Sequence, residues 1–419
     1  MYWSEEIKVT EINGRGMVFP FRSLSDYEIK FKPEHEMFRQ VVREFAEKEI
    51  APRISYIEEH NEVPADLVNK MLSQGFQGIS IPQEYGGQGG DQVTLAIFSE
   101  EIARVSPAIV TLMGANGLFV FPLLFYGSEE QKRRYLPQIA RGEKRSAHAT
   151  TEAVAGSDVA GIQTKAEKVN EGWKINGRKA FISGGDVADY FVVLARTSPI
   201  ANKKERWKGL TFFIVERERE GFHVARHMEK MGLKGSHIVE LQLDNVIVPD
   251  SNRLGPEGEG FKIAMETYDH GRIGVAAQAL GIAQVLFEKC LNYAMQRTTF
   301  ERPLISHQII DAYLADMAMK LVSARQLVYW SATLADQGRE EYKFAASLAK
   351  AYATEAAEWI AEKAISIYGG AGVIVETQVE RFLRDVEITK VYEGANEIQR
   401  LVIIRQLLKL SLGVDVMSM

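Results

Sequence analysis

Hydrophobic side chains recur every three to four positions through the first third of the chain. Phe38, Val42 and Phe45 have this spacing, which places apolar side chains on one face of an α-helix. The same pattern returns in three further segments, at residues 67–72, 95–103 and 110–125. We therefore predict an N-terminal helical domain at 33–145, preceded by an N-terminal extension at 1–32.

The pattern changes to one typical of β-strands in the middle of the chain. Two runs are rich in β-branched and aromatic residues, at 191–195 and 210–215. Residues 237–248 alternate, with Val239, Leu241 and Leu243 on one side and polar residues on the other, as in a strand with one buried face. No helical pattern separates these strands, which favours an antiparallel sandwich or barrel over a parallel sheet. We predict a middle β domain at 146–255.

Long amphipathic helices are predicted after the Gly and Pro residues of 255–260. Their hydrophobic residues follow helical spacing, over 261–296, 306–337 and 341–368, and a last helix begins near Asn396. Helices of this length, rich in Ala, Leu and Met, usually pack side by side. We predict a C-terminal four-helix bundle at 256–419. The fold class is α+β, mainly α, with the β domain between two helical domains.

Composition and charge exclude several classes of protein. Charged residues are 25% of the 419 residues, the formal net charge is −6 and no basic run stands out, so we expect no nucleic-acid partner. Cys290 is the only cysteine, which excludes a disulfide framework. The eight histidines are scattered along the chain, so we predict no metal site.

We expect no membrane association, because no apolar run approaches the ~18 residues that span a bilayer. Glu5, Glu6 and Glu11 near the N-terminus argue against a secretory signal and against a basic transit peptide. These features predict a cytoplasmic protein, or a protein of the mitochondrial matrix if the chain is a processed eukaryotic form.

The common nucleotide-binding loops are absent from the sequence. The chain has neither Gly-x-Gly-x-x-Gly after a strand nor a lysine-containing phosphate loop, and the nearest run, 255–260, lacks the lysine. A Gly-x-Ser-x-Gly nucleophile motif is absent as well. A nucleotide cofactor would therefore be bound by another arrangement.

Glu393 stands between Tyr392 and Gly394, just before the predicted last helix. A glycine at such a turn lets the backbone approach a ligand closely, which makes Glu393 a candidate catalytic base. The alternative is an exposed carboxylate that caps the helix, the commoner role of an isolated Glu. Other motifs of the chain favour the catalytic role.

Five further motifs accompany this one. They are Thr150-Thr151-Glu152-Ala153-Val154-Ala155-Gly156-Ser157-Asp158, Phe181-Ile182-Ser183-Gly184-Gly185, Asp269-His270-Gly271-Arg272, Arg297-Thr298-Thr299-Phe300 and Tyr368-Gly369-Gly370-Ala371-Gly372. In the order and spacing of these motifs, residues 33–410 resemble the acyl-CoA dehydrogenase family. The resemblance implies the same order of helical, β and helical domains that the periodicity predicts.

The resemblance also implies FAD, bound between the β domain and the C-terminal helices of a homotetramer. The residues that match cofactor-binding positions of the family are Thr150, Thr151, Gly156, Ser157, Phe181, Ile182, Ser183, Gly369, Gly370, Ala395 and Glu397. The residues that match positions for the FAD of a neighbouring subunit are Arg297, Phe300, His307 and Gln308. The chain departs from the usual residues of the family at Ala153, Ser366 and Ala395.

The reaction that the resemblance implies is α,β-dehydrogenation of an acyl-CoA thioester to the trans-2-enoyl-CoA. Glu393 would abstract the α-proton, its backbone N–H would bind the thioester carbonyl, and the β-hydride would pass to flavin N5. An electron-transfer flavoprotein would then accept the electrons. Burial should raise the pKa of Glu393 toward neutrality. The residues that match substrate-binding positions are Thr111, Gly114, Ser157, Asp269, Arg272, Tyr392 and Gly394.

Differences from particular relatives limit which residue can be the base and which acyl groups we expect. Some relatives carry the base at the position of Gly271, and a glycine cannot supply one. Relatives that bind glutaryl groups have an Arg near these two positions, where this chain has Ile109 and Val110. A dicarboxylic substrate is therefore disfavoured. Gly114, with Phe119 and Phe121 nearby, predicts a medium, branched or cyclic acyl group. An oxygen-using oxidase or monooxygenase of the same fold, and a non-catalytic acyl-CoA-binding protein, are the alternatives.

Overall fold

Helices make up the N-terminal part of the computed structural model, which describes residues 20–21 and 23–413. They are α1 (Pro33–Phe45), α2 (Ile54–His60), α3 (Ala65–Ser73), α4 (Gln92–Ala103), α5 (Pro107–Gly114), α6 (Gly117–Tyr126) and α7 (Glu129–Ala140). Short polar side chains begin several of them. Asp91 accepts a hydrogen bond from the Thr94 backbone N–H at 2.9 Å and so caps α4, and Ser128 caps α7 in the same way.

The predicted N-terminal extension is described only from residue 20 onward, without residue 22, and residues 1–19 lie outside the described chain. Its described part packs on the C-terminal helices. The Phe21 ring lies 5.1 Å from the Trp330 ring, and the Lys30 backbone N–H donates to Thr333 Oγ1 at 3.2 Å.

The middle of the chain forms one twisted sheet. Its strands are β1 (Ser146–Ala149), β2 (Lys165–Val169), β3 (Gly172–Ser183), β4 (Tyr190–Arg196), β5 (Leu210–Glu216), β6 (Phe222–Met228), β7 (Ile238–Val248) and β8 (Arg253–Leu254). The order is β6-β7-β3-β2-β4-β5-β8, and β1 pairs with β4. Val239, Leu241 and Leu243 are fully buried, which confirms the alternation predicted for β7.

The sheet is mixed, whereas we predicted a purely antiparallel one. β1 runs parallel to β4, and β2 also pairs with β4 in the parallel sense. A long segment, residues 150–164, separates β1 from β2. This segment supplies part of the wall of the cavity described below.

The C-terminal part is a helical bundle. It contains α8 (Gly260–Gln296), the small strands β9 (Thr298–Thr299) and β10 (Arg302–Pro303), α9 (Gln308–Asp336), α10 (Tyr342–Tyr368), α11 (Glu380–Thr389) and α12 (Asn396–Leu412). Small buried side chains such as Ala276, Ala283, Ala349 and Ala353 allow α8 and α10 to pack closely. The predicted helix limits agree with these to within two residues.

A buried carboxylate joins the two helical parts. Glu100 of α4 is 1% exposed and binds Arg39 of α1 at 3.3 Å and Arg325 of α9 at 2.5 Å. It also accepts a hydrogen bond from the Tyr329 hydroxyl. Since removal of one partner leaves a buried charge uncompensated at a cost of roughly 3–5 kcal/mol, this cluster fixes α4 against the C-terminal bundle.

Two segments, Pro107–Tyr126 and Gly260–Gln296, are long and apolar enough to cross a membrane by length and composition alone. The prediction that no apolar run approaches that length is therefore wrong for Pro107–Tyr126. More than half of the apolar window in each segment lies buried inside the protein. Core helices show the same burial, so these segments carry no argument for a membrane.

Candidate active site

A cavity of about 560 Å³ lies where the two helical parts and the sheet meet. Most of the predicted site residues line it: Thr111, Gly114, Thr150, Thr151, Gly156, Ser157, Phe181, Ile182, Ser183, Arg272, Tyr392, Glu393, Gly394 and Ala395. The others lie elsewhere, namely Asp269, Arg297, Phe300, His307, Gln308, Gly369, Gly370 and Glu397. The cavity therefore brings together residues separated by almost three hundred positions along the chain.

Glu393 lies in the turn between α11 and α12 and faces this cavity. Its Oε2 atom is shielded from solvent and has no hydrogen-bond partner among the described residues. Burial raises the pKa of Glu393 to about 7, although the charges of Arg272 and Lys350 act in the opposite direction. Ala395 occupies the N-cap of α12, and no side chain caps that helix. The alternative of an exposed, helix-capping Glu393 is wrong.

Gly271 of α8 lies directly against the Glu393 carboxylate. A Cβ atom at this position would overlap with Glu393 Oε2. The absence of a side chain at Gly271 is therefore what lets the carboxylate occupy its position. No base can be supplied from Gly271, which leaves Glu393 as the carboxylate of this part of the cavity.

The Thr150–Ser157 segment opposite is held by a buried ion pair. The Glu152 carboxylate accepts hydrogen bonds from the Gln163 N–H at 2.7 Å and from the Thr164 N–H at 2.9 Å. It also binds Lys179, which is fully buried, at 2.9 Å. Lys179 donates in addition to the Thr150 carbonyl oxygen at 3.0 Å. The segment is thus fixed to β3 without the proline that Ala153 replaces.

Phe181 reaches the cavity through an irregularity in β3. The pairing of β3 with β7 shifts register between Lys179 and Ile182, as in a β-bulge, which re-aims a side chain. Phe181 has a φ of 59° and is 54% exposed, whereas Ile182 is 2% exposed. The bulge leaves an aromatic face beside the Thr150–Ser157 segment, where a flat ring can stack.

Arg272 and Asp269 form a buried pair on α8. The Arg272 guanidinium donates to Asp269 and to Ser347 Oγ at 3.3 Å, and its Nε has no partner among the described residues. Burial raises the pKa of Asp269 to about 6. Arg272 lines the cavity and Asp269 lies behind it.

Several further polar residues line the cavity but were not predicted, among them His148, Tyr268 and Gln278. His148 Nε2 lies 3.0 Å from the Tyr268 hydroxyl and 2.7 Å from Thr150 Oγ1. Burial lowers the pKa of His148 to about 4, which keeps its ring neutral. Gln278 donates to Thr111 Oγ1 at 3.1 Å. The signal for two of them was present, because Tyr268 and Gln278 share a helical face with Gly271.

The wall beyond Gln278 is apolar and open at Gly114. A Cβ at Gly114 would meet no atom of residues 20–21 and 23–413 within 4 Å. The neighbouring wall residues are Leu95, Phe98, Val110, Met113 and Val275. Phe121 also lines the cavity. Phe119 does not, contrary to our expectation, because it packs fully buried against Tyr135.

The residues predicted to contact the FAD of a neighbouring subunit lie around the β9-β10 hairpin. Phe300 is 90% exposed. The Arg297 side chain has no hydrogen-bond or ion-pair partner within the described chain. A Cβ at Gly369 or Gly370 would meet no atom within 4 Å in the part of the chain that the structure describes. Arg297, Phe300 and the two glycines are thus open to contact by another molecule, whereas both ring nitrogens of His307 are engaged, by Thr299 and Arg302.

Asp186, His227 and His237 form a group whose ligand atoms lie within 4.8 Å of one another. The histidines are therefore less scattered in the fold than along the sequence. Both nitrogens of His237 are already engaged, Nδ1 with Asp186 at 2.7 Å and Nε2 with the Asn61 carbonyl oxygen at 2.7 Å. We assign no metal to this group, and the absence of a metal site stays a prediction.

Comparison with known proteins gives the family. Models of the N-terminal, middle and C-terminal domains of acyl-CoA dehydrogenase match residues 32–143, 147–246 and 258–408. The chain belongs to the acyl-CoA dehydrogenase family. It is 44% identical over 376 residues to the acyl-CoA dehydrogenase of Bacillus subtilis, a match that covers 90% of this chain and 98% of that protein.

Another relative and two solved structures extend the comparison. The caffeyl-CoA reductase-Etf complex subunit CarC of Acetobacterium woodii is 41% identical, over 90% of this chain and 99% of that protein. The butyryl-CoA dehydrogenase of Megasphaera elsdenii is 36% identical, with a TM-score of 0.87, covering 91% of this chain and 100% of the other. The FAD complex of PigA is 25% identical, with a TM-score of 0.86 and coverage of 91% and 99%.

This acyl-CoA dehydrogenase family member is an FAD-dependent oxidoreductase that acts on acyl-CoA. The residues present fit the cofactor, because an exposed aromatic face at Phe181 and an open turn at Gly156 line one side of the cavity. The unpartnered carboxylate of Glu393 lies on the other side.

The position of Gly271 can be tested by adding one methyl group. We expect Gly271→Ala to bind FAD and to lose about 100-fold in turnover, because the new Cβ displaces the Glu393 carboxylate. Flavin absorbance and steady-state rates measure the two effects. Gly274→Ala is the control, because it adds the same methyl group to the same helix and cavity wall away from Glu393. Among the described residues, its Cβ would meet only Ser99 Oγ, at 3.9 Å. Undiminished turnover of Gly271→Ala would contradict the placement of Glu393.

Proposed function

We propose that the protein dehydrogenates an acyl-CoA at the α,β-bond, with Glu393 as the base. The observation that carries this proposal is the unpartnered Glu393 Oε2, shielded from solvent at the cavity wall beside Gly271. A carboxylate left without a partner costs free energy unless a ligand or a proton satisfies it. Such groups concentrate at catalytic sites.

The geometry suits abstraction of a weakly acidic proton. A C–H bond α to a thioester ionises only when its carbonyl oxygen is stabilised and a base of suitable pKa lies close. The pKa of Glu393, raised to about 7 by burial, gives a stronger base than an exposed carboxylate. Its backbone N–H makes no hydrogen bond within the described residues, so it is available to the thioester carbonyl. FAD, when bound, supplies the acceptor of the two electrons.

We propose an electron-transfer flavoprotein as the protein that reoxidises the enzyme. The support comes from the Acetobacterium relative, which is named as a subunit of a complex with Etf. The alternative acceptor is dioxygen, as in an oxidase or monooxygenase. Rapid oxygen consumption by the substrate-reduced enzyme would favour that alternative, and slow consumption with turnover by the flavoprotein would exclude it.

Replacement of Glu393 tests the proposed reaction. We expect Glu393→Gln to remain a yellow flavoprotein and to lose substrate-dependent bleaching, with turnover reduced roughly 10²–10⁴-fold. In the wild type, kcat should rise with pH through about 7, because only the ionised carboxylate accepts a proton. Stopped-flow absorbance and a pH series measure both effects.

The stability of the same variant provides a second readout. The folded-state pKa of Glu393 lies above its ordinary 4.5, so its ionisation destabilises the fold as pH rises. Glu393→Gln should therefore unfold at a higher temperature than the wild type at pH 8, whereas Glu376→Gln, at an exposed residue, should not differ. Retained bleaching in Glu393→Gln would contradict the proposal, and a colourless wild-type protein would favour a non-catalytic acyl-CoA-binding role.

We propose an apolar acyl group of medium length, or a branched or cyclic one, as the substrate. Arg272 is the only Lys or Arg among the described residues that line the cavity, and it is already paired with Asp269. A distal carboxylate would thus be buried without a partner, which is unfavourable. Space at Gly114 favours acyl groups wider or longer than butyryl.

A panel of acyl-CoAs tests this substrate class. We expect glutaryl-CoA to have kcat/KM roughly 100-fold below that of hexanoyl-CoA, because its carboxylate loses water without gaining a cation. Gly114→Leu should lower kcat/KM for octanoyl-CoA and 3-phenylpropionyl-CoA about tenfold by filling the open space. Butyryl-CoA is the internal control. Equal losses for all acyl groups would contradict the assignment of Gly114 to the acyl pocket.

We propose further that the enzyme is a homotetramer in which the residues near the β9-β10 hairpin contact the FAD of a neighbouring subunit. Within one chain, Arg297 and Phe300 do not line the cavity, and Phe300 is exposed. A guanidinium without a partner suits the cofactor's pyrophosphate, since Arg binds phosphate oxygens in a bidentate manner.

Loss of the Arg297 charge tests the contact between subunits. We expect Arg297→Gln to bind FAD about tenfold more weakly, because a charge-assisted hydrogen bond is lost, while the assembly seen by sedimentation remains tetrameric. Arg133→Gln, on the exposed surface of α7, removes the same charge and should leave FAD affinity unchanged. A monomeric protein with full FAD affinity would overturn the proposal.

A further inference from the structure

Lys350 of α10 is a fully buried lysine that lies beneath the Glu393 turn. Its Nζ donates to the Lys390 carbonyl oxygen at 3.0 Å, to the Gly394 carbonyl oxygen at 2.9 Å and to Asn396 Oδ1 at 2.9 Å. An ammonium group has three N–H donors, so all of them are used. These three acceptors account for the position of the Lys350 side chain.

The three acceptors of Lys350 bracket the catalytic base along the chain. Lys390 precedes Glu393, and Gly394 and Asn396 follow it. Asn396 is itself fixed to α10, because its Nδ2 donates to Thr354 Oγ1 at 2.9 Å. The ammonium group therefore ties both ends of the turn to one helix.

The turn needs such a constraint because its backbone is strained. Glu393 has a φ of 53° and Gly394 a φ of 92°, two left-handed residues in succession. A residue with a side chain in this region costs about 1–3 kcal/mol and persists only where the surroundings enforce it. The Asn396 backbone N–H donates to the Lys390 carbonyl oxygen at 3.1 Å, and Gln399 of α12 donates to the Gly394 carbonyl oxygen at 2.8 Å. Neither of these two bonds connects the turn to α10.

The charge of Lys350 also acts on the base. The charged groups that face Lys350 are Glu393, Arg272, Glu397 and Glu355. Burial lowers the pKa of Lys350 to about 7, so its positive charge acts on Glu393 mainly at and below neutral pH. In the other direction, the positive charges of Arg272 and Lys350 both lower the pKa of Glu393 against the effect of burial.

We propose that Lys350 is a positioning residue for the base, which holds the strained Tyr392–Gly394 turn and favours the ionised form of Glu393. The proposal rests on the proposed role of Glu393 in the reaction. Lys350 does not line the cavity, so it acts through the turn and not by contact with substrate. Its loss should affect the rate of proton abstraction more than the binding of FAD or acyl-CoA.

Two substitutions separate the hydrogen bonds of Lys350 from its charge. Lys350→Met removes both, whereas Lys350→Gln keeps N–H donors without the charge. Lys363→Met is the control, because it makes the same change on α10 at a partly exposed residue paired with Glu362. The FAD-loaded tetramer of each variant is assayed for kcat and KM from pH 5.5 to 9, for FAD content and for thermal unfolding.

We expect Lys350→Met to keep its FAD, to change KM less than threefold and to lose about tenfold or more in kcat at pH 7. The rising limb of the kcat profile should move upward by about half a pH unit or more in both Lys350 variants, because a favourable charge is gone. Lys350→Gln should recover more of the rate at high pH than Lys350→Met. Lys363→Met should match the wild type.

Other results would overturn the proposal. In one such result, the rising limb of the kcat profile keeps its pH position in both Lys350 variants and only their thermal stability falls. Lys350 would then stabilise the fold without acting on the base. Failure of both variants to fold, when Lys363→Met folds, would do the same. Activity retained in Glu393→Gln would instead refute the proposed function, so the two failures are distinguishable.

Discussion

The active site depends on one carboxylate oxygen that is shielded from solvent and has no hydrogen-bond partner among the described residues. Glu393 Oε2 lies against Gly271 of α8, and a side chain at position 271 would displace it. Burial alone would make the carboxyl group protonated and inert at neutral pH, and nearby positive charges partly oppose this effect. These opposing effects leave a base whose pKa lies near neutral pH, and a pKa close to the working pH favours efficient proton transfer.

Two fully buried lysines hold the opposite walls of the cavity. Lys179, paired with Glu152, fixes the Thr150–Ser157 segment to the sheet, and Lys350 fixes the Glu393 turn to α10. Lys179 donates to one backbone carbonyl oxygen of the segment that it holds, and Lys350 donates to two. A buried ammonium is costly unless its donors are satisfied, so each wall has little freedom to move while its lysine stays bonded. Rigid walls of this kind keep reacting groups at short range.

Periodicity predicted most of the long helices and three of the eight strands of the middle sheet, because burial of one face imposes a local repeat. It could not predict that β1 pairs with β4, since this depends on where the segment 150–164 returns to the sheet. The family motifs located the cavity residues, but not that Asp269 lies behind Arg272. Lys179 and Lys350 also gave no signal, because a lysine in a sequence is ordinarily exposed and only the fold shows which carbonyl oxygens surround it.

The most direct test of the account is exchange of the substrate's α-hydrogen with D₂O. An acyl-CoA analogue with sulfur in place of the β-carbon cannot lose a β-hydride, so it isolates the proton step. Mass spectrometry should show exchange by the wild-type enzyme, at a rate that rises through a pH of about 7, and none above background by Glu393→Gln. Exchange at the wild-type rate in Glu393→Gln would contradict the central claim that Glu393 is the base.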